Sequence, residues 1–282
     1  MISEKIIEQA SKILKKHNIQ THELDAQLIL SNIMKVKREY LITNNKLAIP
    51  AKIMKKYDLA IKRRIKKEPV AYITGKKEFW SEDYLVNRGT LIPRPETELL
   101  IYKIVNLFRN KKINILDIGT GSGCLLLSIL RELNFARGIG IDSSSRAIRV
   151  AKINSKNFNL IYRSKFIVSD IDKYDVGKYD LIVSNPPYIP SKDIKKLSKD
   201  IIDYEPKIAL DGGLDGLDLI KKVIYKSNNL LKRNGVLSLE IGYNQYQKVD
   251  SILKHCGFRE ISKEYDYNRN VRCIMSTKVT FF

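Results

Sequence analysis

The sequence predicts an α/β protein in which a doubly wound parallel sheet follows a small helical domain. Two observations predict this fold. Residues 2–67 carry apolar side chains at helical spacing, and from residue 113 onward short apolar runs alternate with amphipathic stretches of helical length. Strands joined by helices in this way have both faces covered, so their runs are almost wholly apolar. At 282 residues the chain is long enough for two unequal domains, each with its own core.

The first part of the chain is expected to form three helices. Thr21 can cap the second helix and Pro50 can open the third. Beyond Pro69 the short aromatic pieces AYITG, KEFW and DYLVN predict a hairpin or edge strands acting as a connector. The resulting domain boundaries are 1–75 for the helical domain, 76–93 for the hairpin linker and 94–282 for the sheet domain.

In the sheet domain, PETELLIYKIVNLF opens a helix and strands then alternate with helices. The predicted strands are INILDIG, RGIGID, KFIVSD, YDLIVSN and GVLSLEIG, and the helices between them include CLLLSILREL, SRAIRVAKINSK and a segment from about residue 215 to 232. Ligands of such sheets bind beyond the carboxyl ends of the strands, so the residues directly after each strand are the candidates for function.

The chain is strongly basic, with 51 Lys and Arg against 31 Asp and Glu and a net charge of +20. Residues 1–80 hold 18 basic and 8 acidic side chains, and Lys52–Lys67 is the densest basic stretch. Two interpretations stay open. The patch could meet an acidic partner such as RNA or a ribosome-bound protein, or the excess of 36 Lys over 15 Arg could reflect an AT-rich coding sequence.

Composition also excludes several classes. No apolar run approaches the roughly 20 residues that a membrane helix needs, and the amphipathic start is unlike a signal peptide, so we expect a cytoplasmic protein without membrane contact. The three cysteines form no CxxC pair and the three histidines stand alone, so no metal site is expected.

A glycine-rich turn, Asp117–Gly123, follows the first apolar strand of the sheet domain and precedes a helix. Its glycines permit a tight turn and let a ligand approach bare backbone. Asp142 ends the next strand, 19 residues after Gly123, where a carboxylate can bind both hydroxyls of a ribose. The dinucleotide fingerprint would need glycine where Cys124 stands, and no phosphate-binding lysine follows. The turn instead resembles the first motif of class I S-adenosylmethionine-dependent methyltransferases.

The tetrad Asn185-Pro186-Pro187-Tyr188 follows the strand YDLIVS. Its prolines remove backbone donors and stiffen the loop, which leaves carbonyl acceptors and the Asn185 side chain to bind an amino group. If the Asn185 side-chain oxygen and the Pro186 carbonyl accept the two protons of a planar NH2, the nitrogen lone pair can turn toward a sulfonium methyl group. Tyr188 could stack on the planar group. We therefore expect Asn185, Pro186 and Tyr188 to be catalytic.

The tetrad alone leaves the acceptor open. Methyltransferases acting on adenine N6 in RNA or DNA share it with those acting on the side-chain amide of glutamine. A noncatalytic protein that keeps the fold as an interaction platform is a third possibility, although an intact tetrad beside an intact glycine turn disfavours it. No zinc finger or other nucleic-acid module is recognisable in the helical domain, which weakens the adenine alternative.

Three further segments distinguish these alternatives. Pro69–Trp80, Leu91–Glu98 and Asn185–Pro190, together with the helical domain, closely resemble the HemK/PrmC family. The resemblance implies transfer of a methyl group from S-adenosylmethionine to the glutamine of the Gly-Gly-Gln motif in class I peptide chain release factors. Residues 1–75 are the candidate for recognising this protein substrate, because a pocket for one glutamine cannot identify the rest of the partner. We also expect a monomer that does not require nucleic acid. The basic segment could then meet an acidic face of the release factor.

The resemblance assigns roles position by position. Asp142 would bind the ribose, and Asp170 would lie by the adenine with Ile171 in apolar contact. Arg94, Glu96 and Glu98 would help to wall the active site. The implied substrate residues are Asn185, Pro186, Pro187 and Tyr188. The implied cofactor residues are Asp117, Gly119, Thr120, Gly121, Ser122, Gly123, Asp142, Asp170, Ile171 and Asn185.

Overall fold

A computed structural model of the chain describes residues 2–279 and divides them into two units. One unit holds the residues up to Lys76 together with Ser198–Tyr204, and the other holds Lys77–Leu197 and the residues from Glu205 onward. No helix within residues 2–279 combines the length and apolar character that crossing a membrane requires.

The helical unit is built on apolar side chains that return every three or four residues. Its helices are α1 Ser3–Lys16, α2 His22–Met34, α3 Arg38–Thr43, α4 Ala51–Ile65 and α5 Val70–Thr74, with α9 Lys199–Ile202 added from later in the chain. Leu14, Leu30 and Tyr57 are almost completely buried among them. The Arg64 guanidinium donates to the Asp25 carboxylate at 2.6 Å inside this core, so part of the basic stretch is structural.

The helical unit corrects two sequence predictions. AYITG, predicted as an edge strand, forms helix α5, because Pro69 precedes its first turn and Gly75 ends it in the left-handed conformation. Ser198–Tyr204, predicted within the sheet domain, belongs to the helical unit instead, and the Tyr204 hydroxyl donates to the carbonyl of Lys66 at 2.8 Å.

The second unit contains the hairpin and a seven-stranded sheet. The hairpin strands are β1 Lys76–Phe79 and β2 Glu82–Leu85, and the sheet strands are β3 Asn114–Ile118, β4 Arg137–Asp142, β5 Ser164–Val168, β6 Tyr179–Ser184, β7 Leu231–Glu240, β8 Phe258–Tyr265 and β9 Val271–Lys278. The sheet order is β5-β4-β3-β6-β7-β9-β8. The first five strands in this order are parallel, and β9 is antiparallel to both of its neighbours.

Helices cover both faces of the sheet: α6 Glu98–Phe108, α7 Cys124–Glu132, α8 Ser145–Asn157, α10 Asp218–Leu230 and α11 Tyr246–His255. Successive strand residues enter different cores, since Ile115 packs with α6 and α7 while Leu116 packs with α10 and α11. This covering explains the continuous apolar runs of the sequence. The predicted doubly wound fold is thus confirmed.

The hairpin is part of the sheet unit rather than a separate linker. Phe79 and Tyr84 are buried in the core that includes α7, with ring centroids 5.9 Å apart, and the Tyr84 hydroxyl lies 2.7 Å from Ser128 Oγ. The predicted segment 76–93 is therefore not a separate linker, because its aromatic side chains are buried only by packing into the larger core.

Candidate active site

The register of three neighbouring strands brings the predicted functional residues to one edge of the sheet. Ile118 of β3 pairs with Ile141 of β4 on one side and with Ser184 of β6 on the other. The next residue along each strand is Gly119, Asp142 or Asn185. The order of the strands reverses its direction on either side of β3, which is where doubly wound sheets form their ligand crevice.

A cavity of about 320 Å³ lies at this edge. Predicted site residues lining it are Gly119, Gly121, Asp142, Asp170, Ile171, Asn185, Pro186 and Pro187. Apolar side chains, including those of Ile118 and Ile141, form much of its wall, and its size is within the usual range for small-molecule sites. Asp117, Thr120, Ser122, Gly123 and Tyr188 do not line it.

The glycine turn adopts a conformation that other residues rarely tolerate. Gly119, Gly121 and Gly123 have φ angles of +74°, +56° and +79°. A Cβ atom at Gly119 would have no heavy atom within 4 Å, so the space beside this glycine is open. A Cβ atom at Gly123 would lie 3.2 Å from Ala151 and from Phe166, so this glycine also permits close packing. The turn therefore presents bare backbone on one side and is anchored to the core on the other.

Asp142 is oriented by backbone donors. Its Oδ2 accepts a hydrogen bond from the amide of Gly121 at 2.9 Å and its Oδ1 from that of Ser144 at 2.8 Å. Burial raises the pKa of this carboxyl, and the two amide hydrogen bonds oppose the rise. The side chain of Ser144, rather than Asp142, caps α8 by accepting from the amide of Ala147. Asp142 therefore does not serve as the cap of α8, and it lines the cavity.

Asp117 lies beneath the turn. It is 1% exposed, and its Oδ2 accepts from the Thr120 hydroxyl at 2.6 Å. Burial raises the pKa of Asp117 to about 7, against the opposing effect of that hydrogen bond. The carbonyl of Ser122 accepts from Asn154 Nδ2 of α8 at 2.8 Å. These buried residues hold the shape of the turn from below.

Asp170 and Ile171 complete the side of the cavity next to β5. Asp170 Oδ1 accepts from the amide of Asp172 at 2.8 Å and so begins a short 3-10 helix, Ile171–Lys173. Ile171 is 8% exposed and belongs to the core that includes α10. Its side chain forms an apolar part of the cavity wall.

The tetrad loop is held by contacts to more distant segments. Gln245 Nε2 donates to the carbonyls of Tyr188 and Gly216, each at 3.0 Å. The amide of Ile189 donates to the carbonyl of Leu210 at 3.1 Å. A Cβ atom at Gly212 would lie 2.7 Å from the Pro187 carbonyl oxygen, so only glycine allows this approach. These contacts fix the path of the loop beside the cavity.

A buried polar network joins both ends of the tetrad. Asn185 Nδ2 donates to Thr97 Oγ1 at 3.0 Å, and the Thr97 hydroxyl donates to Glu240 Oε2 at 2.5 Å. Tyr188 donates to Glu240 Oε1 at 3.2 Å and accepts from Arg272 Nη2 at 2.8 Å. The Arg272 guanidinium also lies over the Tyr188 ring, 5.3 Å from its centroid. Tyr188 therefore faces this network and not the cavity.

Sequence reasoning missed Thr97 and Glu240, and it expected charged residues near Thr97 in the sequence to wall the site. Arg94, Glu96 and Glu98, all expected to wall the site, do not line the cavity. Arg94 instead pairs with Glu205 at 2.5 Å, and Glu98 Oε1 accepts from the amide of Trp80 at 2.8 Å. Both charged groups thus have structural partners.

A signal for Glu240 was present in the sequence. It is an acid at the end of the apolar strand GVLSLE, where an ionisable group needs a partner. No comparable local pattern distinguishes Thr97.

Comparison with known proteins finds matches for both parts of the chain. Residues 5–75 match a family model described as the PrmC N-terminal domain, and residues 109–278 match one described as a methyltransferase domain. A methyltransferase structure from Pyrococcus furiosus has a TM-score of 0.53 at 15% identity, over 70% of this chain and 89% of that one, which supports the fold.

Full-length relatives identify the family. The chain is 38% identical over 274 residues to a release factor glutamine methyltransferase of Clostridium acetobutylicum, covering 96% of each protein. It is 35% identical over 267 residues to one of Caulobacter vibrioides, covering 94% of this chain and 92% of the relative. The chain therefore belongs to the release factor glutamine methyltransferase family.

Proposed function

We propose that this protein transfers a methyl group from S-adenosylmethionine to the side-chain amide nitrogen of the glutamine in the Gly-Gly-Gln motif of class I release factors. The observation that carries the proposal is one cavity lined both by the glycine turn with Asp142 and by Asn185 and Pro186. Relatives named for this activity align over nearly the whole chain, which supports the choice of substrate.

The charges around the cavity fit S-adenosylmethionine. Three carboxylates line it, from Asp142, Asp170 and Asp211, and the one ammonium group among the described lining residues, that of Lys222, is paired with Asp172. S-adenosylmethionine carries a sulfonium and an ammonium group against a single carboxylate, so an acidic wall attracts it. The same wall repels the pyrophosphate of a dinucleotide, which agrees with Cys124 standing where the dinucleotide fingerprint needs a glycine.

The backbone of Gly119 and Gly121 would hold the methionine part of this cofactor, and Asp142 the ribose hydroxyls. Asp170 and Ile171 would flank the adenine. Asp117, Thr120, Ser122 and Gly123 would support the turn from below. When bound, the cofactor supplies an electrophilic methyl group.

The tetrad would then orient the acceptor. Asn185 Oδ1 and the Pro186 carbonyl accept the two hydrogens of the glutamine amide, which localises the nitrogen lone pair. Pro187 keeps the loop in shape, and Tyr188 anchors it through Glu240 and Arg272. Catalysis rests on orientation and on acceptors already in place, with no covalent enzyme intermediate.

Residues 1–75 would recognise the remainder of the release factor, because a pocket that accepts one side chain does not identify a folded partner. Action as a monomer is part of this proposal. Cytoplasmic action on a protein, without a requirement for nucleic acid, completes the proposal.

The test incubates the protein with methyl-labelled S-adenosylmethionine and an unmodified release factor, beside the same factor with its Gly-Gly-Gln glutamine changed to alanine. Label in the first factor alone supports the proposal. Label in both factors would mean that the methylated group lies elsewhere on the release factor. Label in neither, with label on added RNA or DNA, favours the adenine-N6 alternative.

A further inference from the structure

We propose that Glu240, acting through Thr97, is a positioning residue that determines which end of the Asn185 side-chain amide faces the substrate. This inference rests on the proposed function and names the residues that orient the side chain of its acceptor site. Neither Glu240 nor Thr97 lines the cavity, so both act through Asn185.

Glu240 is fully buried at the end of β7, yet all its close neighbours in the network are donors. The Thr97 hydroxyl contacts Oε2 at 2.5 Å, and the Tyr188 hydroxyl contacts Oε1 at 3.2 Å. Arg272 already donates to the Tyr188 oxygen, so the hydrogen of Tyr188 is available for Glu240. Burial raises the pKa of Glu240, and the Thr97 hydroxyl, the Arg272 cation 3.8 Å from Oε1 and the Tyr188 hydroxyl oppose that rise by favouring the acceptor carboxylate.

Thr97 connects the Glu240 carboxylate, which accepts hydrogen bonds, to the Asn185 amide. A threonine hydroxyl has a single hydrogen, and here the hydrogen is donated to Glu240. Thr97 Oγ1 can therefore only accept from Asn185, which must turn its Nδ2 toward it, as the 3.0 Å contact has it. The planar amide then directs Oδ1 away from Thr97.

This orientation is the one that the acceptor site needs. A glutamine amide nitrogen brings two donor hydrogens, so the group facing it must be an oxygen. With the Asn185 amide reversed, its NH2 group would face the NH2 group of the substrate, while its oxygen would face the lone pairs of Thr97. Two unfavourable contacts would replace two hydrogen bonds.

The test compares three variants with the wild-type enzyme. Thr97→Val keeps the shape of the side chain but has no hydroxyl, Thr97→Ser keeps the hydroxyl, and Glu240→Gln lets position 240 donate to Thr97. The measurements are kcat and KM on an unmodified release factor, the Kd for S-adenosylmethionine by calorimetry, and the thermal midpoint, which defines an assay temperature at which all variants are folded.

We expect Thr97→Val to lower kcat about 10- to 100-fold, the range for losing one oriented hydrogen bond at a reacting group. Thr97→Ser is expected to stay within about threefold of wild type because the hydroxyl is kept. Glu240→Gln should also lower kcat, with the Kd for the cofactor unchanged in all three variants.

Equal kcat values for Thr97→Val and Thr97→Ser would overturn the inference, as would a loss fully explained by weaker cofactor binding. Failure of the proposed function gives a different result, because the wild-type enzyme itself would then leave the release factor unmethylated.

Discussion

The Asp142 carboxylate retains acceptor capacity toward the cavity. Each oxygen has one backbone hydrogen bond, from Gly121 and from Ser144, and a carboxylate has about four acceptor sites. Two remain for a pair of ribose hydroxyls. We expect Asp142→Ala to raise the Kd for S-adenosylmethionine about 10- to 100-fold, since hydrogen bonds to charged groups are among the stronger ones.

Calorimetric titration with the cofactor measures this change. Asp58→Ala, which removes an exposed carboxylate of α4, is the matched control and should leave the Kd as it is. Equal Kd values for the Asp142 and Asp58 variants would show that the ribose is bound elsewhere.

The raised pKa of Asp117 predicts that the stability of the folded protein depends on pH. Its pKa is about 7 in the folded protein because burial disfavours the charge, against an ordinary value of 3.8. Between these values the folded state holds a proton that the unfolded state has lost, so the contribution of Asp117 to stability falls as the pH rises toward 7. Asp117→Asn abolishes this titration.

Thermal unfolding of the cofactor-free protein at pH 5 and pH 8 tests the sign. The melting temperature of Asp117→Asn relative to wild type should be higher at pH 8 than at pH 5. A difference that is the same at both pH values would contradict the raised pKa.

At the scale of elements, the glycine turn needs both a left-handed backbone and close packing against the core, and substitutions can separate these two requirements. Gly123→Ala introduces a Cβ atom at a φ of +79° and within 3.2 Å of three side chains. Gly119→Ala introduces one at a φ of +74° with nothing within 4 Å. Both variants have the cost of a left-handed residue, about 1 kcal/mol, and Gly123→Ala adds overpacking of about 1–3 kcal/mol.

Chemical unfolding of the two variants and the wild type gives the comparison. Gly123→Ala should have the lower unfolding midpoint. Indistinguishable midpoints would mean that the sheet unit relaxes around the added methyl group.

Elements were predicted well where their signal is local. The alternation of strands and helices after residue 113 was predictable because apolar runs of strand length and amphipathic runs of helix length differ in period. AYITG was not, because five residues with β-branched and aromatic side chains satisfy both patterns. The helix is selected by Pro69 and Gly75 at its ends, a local signal that the strand-like composition of the segment outweighed in the prediction.

For the whole molecule, the structure divides the basic stretch Lys52–Lys67 into two groups. Arg63 pairs with Glu68, Arg64 with Asp25, and Lys67 Nζ donates to two backbone carbonyls, so these three cations stabilise the helical unit. Lys52, Lys55, Lys56, Lys62 and Lys66 are exposed. The exposed lysines are the ones available to an acidic partner.

Charge reversal tests whether these lysines meet the release factor. The double variant Lys55→Glu with Lys56→Glu should raise KM for the release factor about three- to tenfold at low salt and flatten its salt dependence. Lys111→Glu with Lys112→Glu, an equally large change on exposed lysines before β3, is the control. If both double variants behave alike, Lys55 and Lys56 have no specific role in recognition.

The sequence by itself determined the parts of this protein that depend on neighbours along the chain. Gly119–Gly123 must turn sharply, Asp142 must follow the next strand, and Asn185–Tyr188 must form a stiff loop, because each requirement is set by local backbone geometry. These patterns, with the segments around them, were also enough to recognise the family.

The tertiary structure alone decided which distant side chains complete the site. Thr97 and Glu240 are 143 residues apart in sequence, and Asn185 and Thr97 are 88 apart. Likewise, Ser198–Tyr204 joins the helical unit far from its other residues. Such pairings depend on strand order and on how helices pack, and no local sequence pattern encodes them. The reason is physical: a buried polar group gains its stability from whichever partner the complete fold brings within hydrogen-bond distance.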